Sequence, residues 1–328
     1  MRTFVTGGSG FLGREMIRAL VERGHTVRAI ARSPKSEAAV RAAGAEPVKG
    51  DLDDVPSMQT GMEGCDWVIH CAANTEEWDS DESFWRVNVV GTDNAMAAAR
   101  GARVRRFVLI SSEAVLADGN PIIDADETAP LPASPLPGYP LTKGECERRV
   151  RAASNADFQT VVVRPRYIWG RNDTAVLSKI IEGIRGGRFK WVGGGRYPTT
   201  TTHVANACEG AILAAEKGTP GEVYFVTDGP PVEFREWVTK LLATQQRPAP
   251  EGSVPFGLAW AAAVAAEGVW RLMGRKTTPP ATKVSIGLMG QQVTVKDDKA
   301  RRELGYVGRV SREQGLAEMA RLPPIVPL

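Results

Sequence analysis

Apolar residues along the first half of the chain arrive in two alternating rhythms. Short continuous runs, TFVT (3–6), TVRAIA (26–31), EPVKG (46–50), WVIHCA (67–72), RFVLIS (106–111) and TVVVRP (160–165), read as strands buried on both faces. Between them, segments such as FLGREMIRALVERG (11–24) and FWRVNVVGTDNAMAAAR (84–100) repeat their apolar positions at helical spacing. Strands alternating with helices predict βαβ units and an α/β fold built on a doubly wound parallel sheet. No internal repeat of solenoid period interrupts the pattern.

Beyond about residue 170 the rhythm changes. Helical segments are expected at 174–186, 203–217, 233–245, 255–274 and 311–321, with one clear strand in EVYFVT (222–227). Prolines at 230–231, 248–255 and 279–280 punctuate them. This predicts a smaller, helix-rich lobe over 171–328, with elements around 203–227 returning to the sheet. The tail RLPPIVPL is expected to be extended or loosely attached, because Pro-Pro cannot continue a helix.

Composition narrows the function classes. The 328 residues carry a net charge of only +3, and the densest basic run is ARVRR at 102–106, which argues against a nucleic-acid surface. Cys65, Cys71, Cys146 and Cys208 form no CxxC pair and no Cys/His cluster, so no metal site is expected and reduced thiols in a cytoplasmic protein are. The start runs directly into a strand pattern, leaving no room for a signal peptide. The longest apolar run, FGLAWAAAVAA at 256–266, is about half the ~20 residues of a membrane span. The surrounding stretch, 254–273, is expected to be buried or to form a pocket lid, with weak membrane-surface contact as the alternative.

The first predicted strand ends in TGGSGFLG, residues 6–13. Gly8, Gly10 and Gly13 fit G-x-G-x-x-G, while Gly7, Gly10 and Gly13 fit the related G-x-x-G-x-x-G spacing. Placed after a strand and opening a helix at Phe11 and Leu12, this is the context of a dinucleotide-binding Rossmann turn. The glycines permit a tight turn and bring backbone N–H groups to a pyrophosphate. Residues 1–170 are therefore expected to bind the dinucleotide and 171–328 mainly the substrate. At the end of the second strand an acidic residue would read an NAD ribose. Ala31 stands there instead, followed by Arg32 and Lys35, so NADP(H) is expected over NAD(H). Asp51 and Leu52 follow the third strand, where Asp51 suits either an adenine contact or a helix N-cap. Ala72 and Ala73 follow the fourth, small enough for a cofactor to lie close.

The fifth strand ends in Ser111 and Ser112, on the carboxyl edge where open parallel sheets bind ligands. Tyr139 opens a later helix in PGYPLTKGECE (137–147), Pro140 is tolerated in its first turn, and Lys143 follows at i+4 on the same face. A carbonyl that accepts hydride must also accept a proton. An unperturbed phenol, with a pKa of about 10, is a poor base at neutral pH; a neighbouring ammonium favours its ionised form.

Together TGGSGFLG, SSEAV, YPLTK and RPRYIWG (164–170) resemble, in order and rough spacing, the extended short-chain dehydrogenase/reductase (epimerase/dehydratase) superfamily. The resemblance implies Ser112, Tyr139 and Lys143 as the catalytic set, with Lys143 also holding the nicotinamide ribose and Pro165 to Ile168 bordering the nicotinamide. Asn88 and Gly91 fall in the family's Asn-x-x-Gly-Thr pattern, where Asn88 is expected to be structural. Glu113 and Ala114 stand where sugar-nucleotide dehydratases carry an Asp-Glu pair. HVANA (203–207), KARRELGY (299–306) and the Ala/Trp-rich 256–273 stretch are more similar to the 3β-hydroxysteroid dehydrogenase-like branch. That branch implies alcohol–ketone interconversion on a hydrophobic small molecule, sterol-like or β-keto acid-like. The superfamily also implies a homodimer through the helix at 84–100 and the helix bearing Tyr139. Trp78, Trp85, Tyr167, Trp169, Trp191, Tyr197, Trp260 and Trp270 are candidates either to roof an apolar pocket or to fill core. A sugar-nucleotide epimerase retaining its NAD is the alternative reading. A silent cofactor-sensing binding protein is disfavoured by the Tyr/Lys pair.

Overall fold

The computed structural model describes residues 1–325. Seven strands form its main sheet: β1 (Arg2–Thr6), β2 (Thr26–Ala31), β3 (Glu46–Lys49), β4 (Trp67–His70), β5 (Arg106–Ile110), β6 (Gln159–Pro165) and β7 (Val223–Val226). All neighbours run parallel in the order β3-β2-β1-β4-β5-β6-β7, a doubly wound Rossmann sheet. The order reverses between β1 and β4, where Thr6 lies in register with His70. The crevice at such a reversal, outside the carboxyl ends, is where ligands of this architecture bind.

Six helices cover the two faces. Val5 and the apolar sides of α1 (Phe11–Glu22), α2 (Pro34–Ala43) and α6 (Val204–Lys217) meet in one cluster. Phe4, one residue away and so on the other side of the pleat, joins α3 (Val55–Met62), α4 (Gly91–Gly101) and α5 (Tyr139–Ala152) in the second. Burial on both sides is why the strands read as unbroken apolar runs, each fully buried large side chain contributing roughly 1.5–3 kcal/mol.

Two further apolar clusters build the rest. Trp169, Trp191 and Trp237 pack with Ile181, Phe234 and Leu241, and Trp169 meets Trp237 edge-on at 4.6 Å. Tyr167, Trp169 and Trp191 are thus core of this cluster, not a roof over a pocket. A four-stranded sheet runs in the order Val232–Glu233, Pro198–Thr199, Val293–Val295, Ile122–Ala125, tying the segment after β5 to the segment around 293–295. The tail is held as far as Ile325, whose N–H donates to Gln245 Oε1 at 2.7 Å; residues 326–328 of the expected extended tail lie outside the described residues.

Helix α7 (Phe256–Leu272) departs from expectation. It buries Ala259, Ala263 and Glu267, while Leu258, Val264, Val269 and Leu272 face outward. Burial of this stretch is therefore only one-sided, because the strip that packs against the neighbouring helix Lys283–Met289 is alanine-lined and narrow.

Candidate active site

The turn after β1 is shaped by what cannot fit. Gly7 has φ +68°, and a Cβ there would come within 2.7 Å of the Ala72 backbone nitrogen. A Cβ on Gly13 would lie 2.0 Å from the Gly7 carbonyl oxygen, so helix and turn pack at glycine distance. Gly10 caps α1 with no side-chain acceptor for its first amides, around Phe11 and Leu12, and Ser9 and Gly10 are exposed. Unclaimed donors at an open helix N-terminus suit a pyrophosphate.

His70 fixes the far wall of this crevice. Thr92 Oγ1 donates to the Asn88 carbonyl at 2.6 Å, so its lone pair accepts from His70 Nε2 at 3.1 Å. His70 Nδ1 then accepts from Thr6 Oγ1 at 2.8 Å, and that oxygen in turn accepts from the Ala72 amide at 3.2 Å. Ala72 and Ala73 are half-buried beside the glycine turn. Burial first, and the Lys143 ammonium second, push the His70 pKa down to about 3, which keeps this relay neutral.

The ends of β2 and β3 carry the cationic rim. Ala31 is buried, whereas the Arg32 side chain is 79% exposed and reaches Asp51 only at 4.0 Å. Lys35 is exposed in the first turn of α2. Asp51 does not cap a helix: Asp54 does, accepting from the Ser57 amide at 3.1 Å. Asp51 instead accepts from the Leu52 amide at 2.6 Å, and Leu52 packs against Gly91.

Ser112 follows β5 and starts the short turn Glu113–Leu116, accepting from the Ala114 amide at 3.2 Å. Tyr139 begins α5 directly after Gly138, whose φ of +74° and close approach to the Phe84 ring (3.0 Å for an added Cβ) suit only glycine. Thr142 Oγ1 donates back to the Gly138 carbonyl at 2.8 Å, fixing the helix start. One turn on, Lys143 is buried, with Nζ donating to the Ile110 carbonyl at 2.7 Å. Burial lowers the Lys143 pKa. The Tyr139 pKa is raised far above its ordinary value, by burial first and the Glu113 carboxylate second, while a hydrogen bond with Ser112 pulls it down. Pro165 ends β6, and Ile168, half-buried, starts a short strand, Ile168–Trp169, beside Thr202–His203. Tyr167 between them holds φ +45°, a strained backbone of the kind that gathers at ligand sites.

Two buried ion pairs escaped the sequence reading. Glu113 is buried between Ser112, whose hydroxyl donates to its Oε2 at 2.6 Å, and Arg166, whose Nη1 donates to Oε1 at 3.0 Å. Arg164 on β6 and Glu147 on α5 form a second buried pair, with Arg164 Nε donating at 2.9 Å. Asn88 sits in a π-helical stretch, Trp85–Val90, where its amide donates to Thr142 Oγ1 at 2.9 Å and its Oδ1 accepts from the Asn74 amide at 2.6 Å. Charged residues inside RPR and SSE motifs were the available signal, but their partners lie 17 and 53 positions away.

The chain can be set against known proteins at this point. Residues 4–254 match the model of the 3-beta hydroxysteroid dehydrogenase/isomerase family. A 4-hydroxy-2-methyl-3-oxo-4-farnesyl-3,4-dihydroquinoline-1-oxide ketoreductase of Stigmatella aurantiaca is 52% identical over 99% of this chain and 97% of its own length. A 2-alkyl-3-oxoalkanoate reductase of Stenotrophomonas maltophilia (strain K279a) is 36% identical over 97% of this chain and 98% of its own. Among solved structures, a UDP-glucose 4-epimerase of Thermotoga maritima superposes with a TM-score of 0.75 at 19% identity, covering 98% of this chain and 97% of the other, a likeness of fold alone. With the family model matched over residues 4–254, most of the chain, this protein belongs to the 3-beta hydroxysteroid dehydrogenase/isomerase family.

Proposed function

We propose that this chain is an NADPH-dependent ketoreductase, interconverting a ketone and a secondary alcohol on a hydrophobic small molecule. The observation that carries the reading is the meeting of Ser112, Tyr139 and Lys143 at the carboxyl end of β5, beside an open pyrophosphate turn. The names of its relatives, a farnesyl-quinoline ketoreductase and an alkyl-oxoalkanoate reductase, support both the reaction and the apolar substrate.

Each residue then has a task. When bound, the reduced nicotinamide supplies hydride to the carbonyl carbon. Tyr139 gives its phenol proton to the carbonyl oxygen, a role suited to a group that burial and Glu113 hold protonated. Ser112 has one proton and spends it on Glu113 in this structure, so it turns that proton to the substrate oxygen when a ketone enters. Lys143 receives the nicotinamide ribose and steadies the phenolate left behind. Arg32 and Lys35 receive the 2′-phosphate, with Asp51 and Leu52 along the adenine, and Pro165 and Ile168 border the nicotinamide. Residues 171–328 mainly hold substrate.

Trp85, Val90 and Leu141, exposed on the α4–α5 side, support a homodimer there. Free thiols at all four cysteines support a cytoplasmic location. Among the described residues no particular contact favours the epimerase alternative. The deciding assay offers farnesylated quinolones, 2-alkyl-3-oxoalkanoates, sterols and sugar nucleotides with NADPH or NADH. Net loss of the reduced-nicotinamide absorbance with a ketone is expected. Sugar-nucleotide turnover without net cofactor consumption would refute the reading, as would full activity in Tyr139→Phe.

A further inference from the structure

Helix α7 is amphipathic in reverse. Its inward arc contains its one carboxylate, Glu267, which accepts from the Lys283 amide at 2.6 Å and lies 3.4 Å from Lys283 Nζ. Its outward arc repeats at 258, 261/262, 265, 268/269 and 272, the three-four spacing of one helix face, and every residue there is apolar. Leu258 is 61% exposed, Val264 48%, Val269 47% and Leu272 89%. A helix on a water-facing surface ordinarily turns its charges out and its leucines in. Here the arrangement suits a solvent that is not water.

The helix ends tell which. Arg271, Arg275 and Lys276 follow one another at its C-terminal end, all exposed. Arg271 stacks over the Trp78 ring and Arg275 over Trp270, and Trp78 Nε1 donates to the Arg275 carbonyl at 3.2 Å. Cations and tryptophans at the edge of an apolar strip match the headgroup zone of an anionic bilayer. No helix among the described residues is long and apolar enough to cross a membrane, so contact would be along the surface.

The position of α7 gives this contact a consequence. Trp260 abuts Gly119 in the loop after β5, lying 2.9 Å from where a Cβ would sit, and Trp78 belongs to the loop after β4. Both loops rise from the carboxyl edge of the sheet, next to Ser112 and Ala73. We propose that α7 lies flat in the headgroup region of an anionic bilayer and sets the rim of the active site against it. An apolar molecule dissolved in the bilayer then reaches the site without crossing water.

Vesicle flotation tests this directly, with phosphatidylcholine alone and with added phosphatidylglycerol. The wild-type protein is expected to float with the anionic vesicles and to be released by salt. Arg271→Gln/Arg275→Gln/Lys276→Gln should bind those vesicles roughly a hundredfold more weakly, at about fivefold per cation. Leu258→Gln/Val269→Gln/Leu272→Gln should lose vesicle binding while keeping its circular dichroism spectrum, since these side chains are exposed. Wild-type protein that stays in solution overturns the proposal. So does an apolar variant that floats as well as wild type, or a variant that turns a dimer into a monomer without any vesicle binding by the parent. Flotation needs neither cofactor nor substrate, so its result stands apart from the assignment as a ketoreductase.

Discussion

Ser112 donates its hydroxyl proton to the carboxylate of its own neighbour, Glu113, at 2.6 Å. Glu113 is in turn held by Arg166, which also donates from Nη2 to the Leu288 carbonyl at 2.7 Å. A buried carboxylate therefore stands one residue from Ser112 and within electrostatic reach of Tyr139, the candidate proton donor. It pairs with the guanidinium of Arg166, just past β6, and it opposes ionisation of Tyr139.

Replacing Glu113 by Gln should lower the Tyr139 pKa toward its ordinary value. Ketone reduction needs the protonated phenol, so the alkaline fall in kcat should begin at lower pH than in the wild type. The variant should also lose about 3 kcal/mol of stability, because Arg166 is left buried without its partner. A pH–rate profile beside a denaturant melt checks both, and an unmoved alkaline limb would show that Glu113 acts on structure alone.

The Arg164–Glu147 pair bonds the helix bearing Tyr139 and Lys143 to β6, with both side chains almost wholly buried. Glu147→Ala is expected to cost about 3–5 kcal/mol, since it strands a guanidinium in the core. Arg164→Met combined with Glu147→Leu should recover most of that loss, because the pair's own desolvation is then avoided. Urea unfolding of the single and double variants measures the difference.

Cofactor choice is testable at Arg32. Its exposed guanidinium has only a 4.0 Å contact with Asp51 to give up. Arg32→Ala should weaken NADPH binding roughly tenfold while leaving NADH almost unchanged. Equal weakening of both, read by fluorescence titration, would remove the 2′-phosphate from the account.

His70 links stability to acid. Its folded pKa is about 3 against 6.5 in an unfolded chain, so above pH 6.5 both states are neutral and nothing changes. Below that, only the unfolded chain takes the proton, and stability falls by about 1.4 kcal/mol per pH unit until the folded pKa is reached. His203, lowered to about 4, adds the same slope over a shorter window, while Asp173, raised to about 6 by burial, works in the opposite sense. The difference between wild type and His70→Asn isolates the first contribution. The variant's stability should decline less steeply by about 1.4 kcal/mol per pH unit below 6.5.

Much of the molecule was legible in one dimension. Continuous apolar runs and period-3.6 apolar patterns are local consequences of burial, so the alternating strands and helices of the sheet could be read residue by residue, within a few positions at most ends. TGGSGFLG was readable because a tight turn needs glycine whatever surrounds it, and Tyr139 and Lys143 because one helical turn sets their spacing. Other features depended on which distant segments meet. Asp54 rather than Asp51 caps α3 because the helix begins at Val55, directly after Asp54. Tyr139 is held protonated because folding dries its surroundings and sets Glu113 beside it, which no spacing along the chain records. Glu113 finds Arg166, and Glu147 finds Arg164, only when β5, β6 and α5 are stacked. The apolar residues of α7 declared a helix, but only packing decided which side stayed uncovered. Sequence fixes what each segment prefers; tertiary structure decides which charges lose water and which apolar faces keep it.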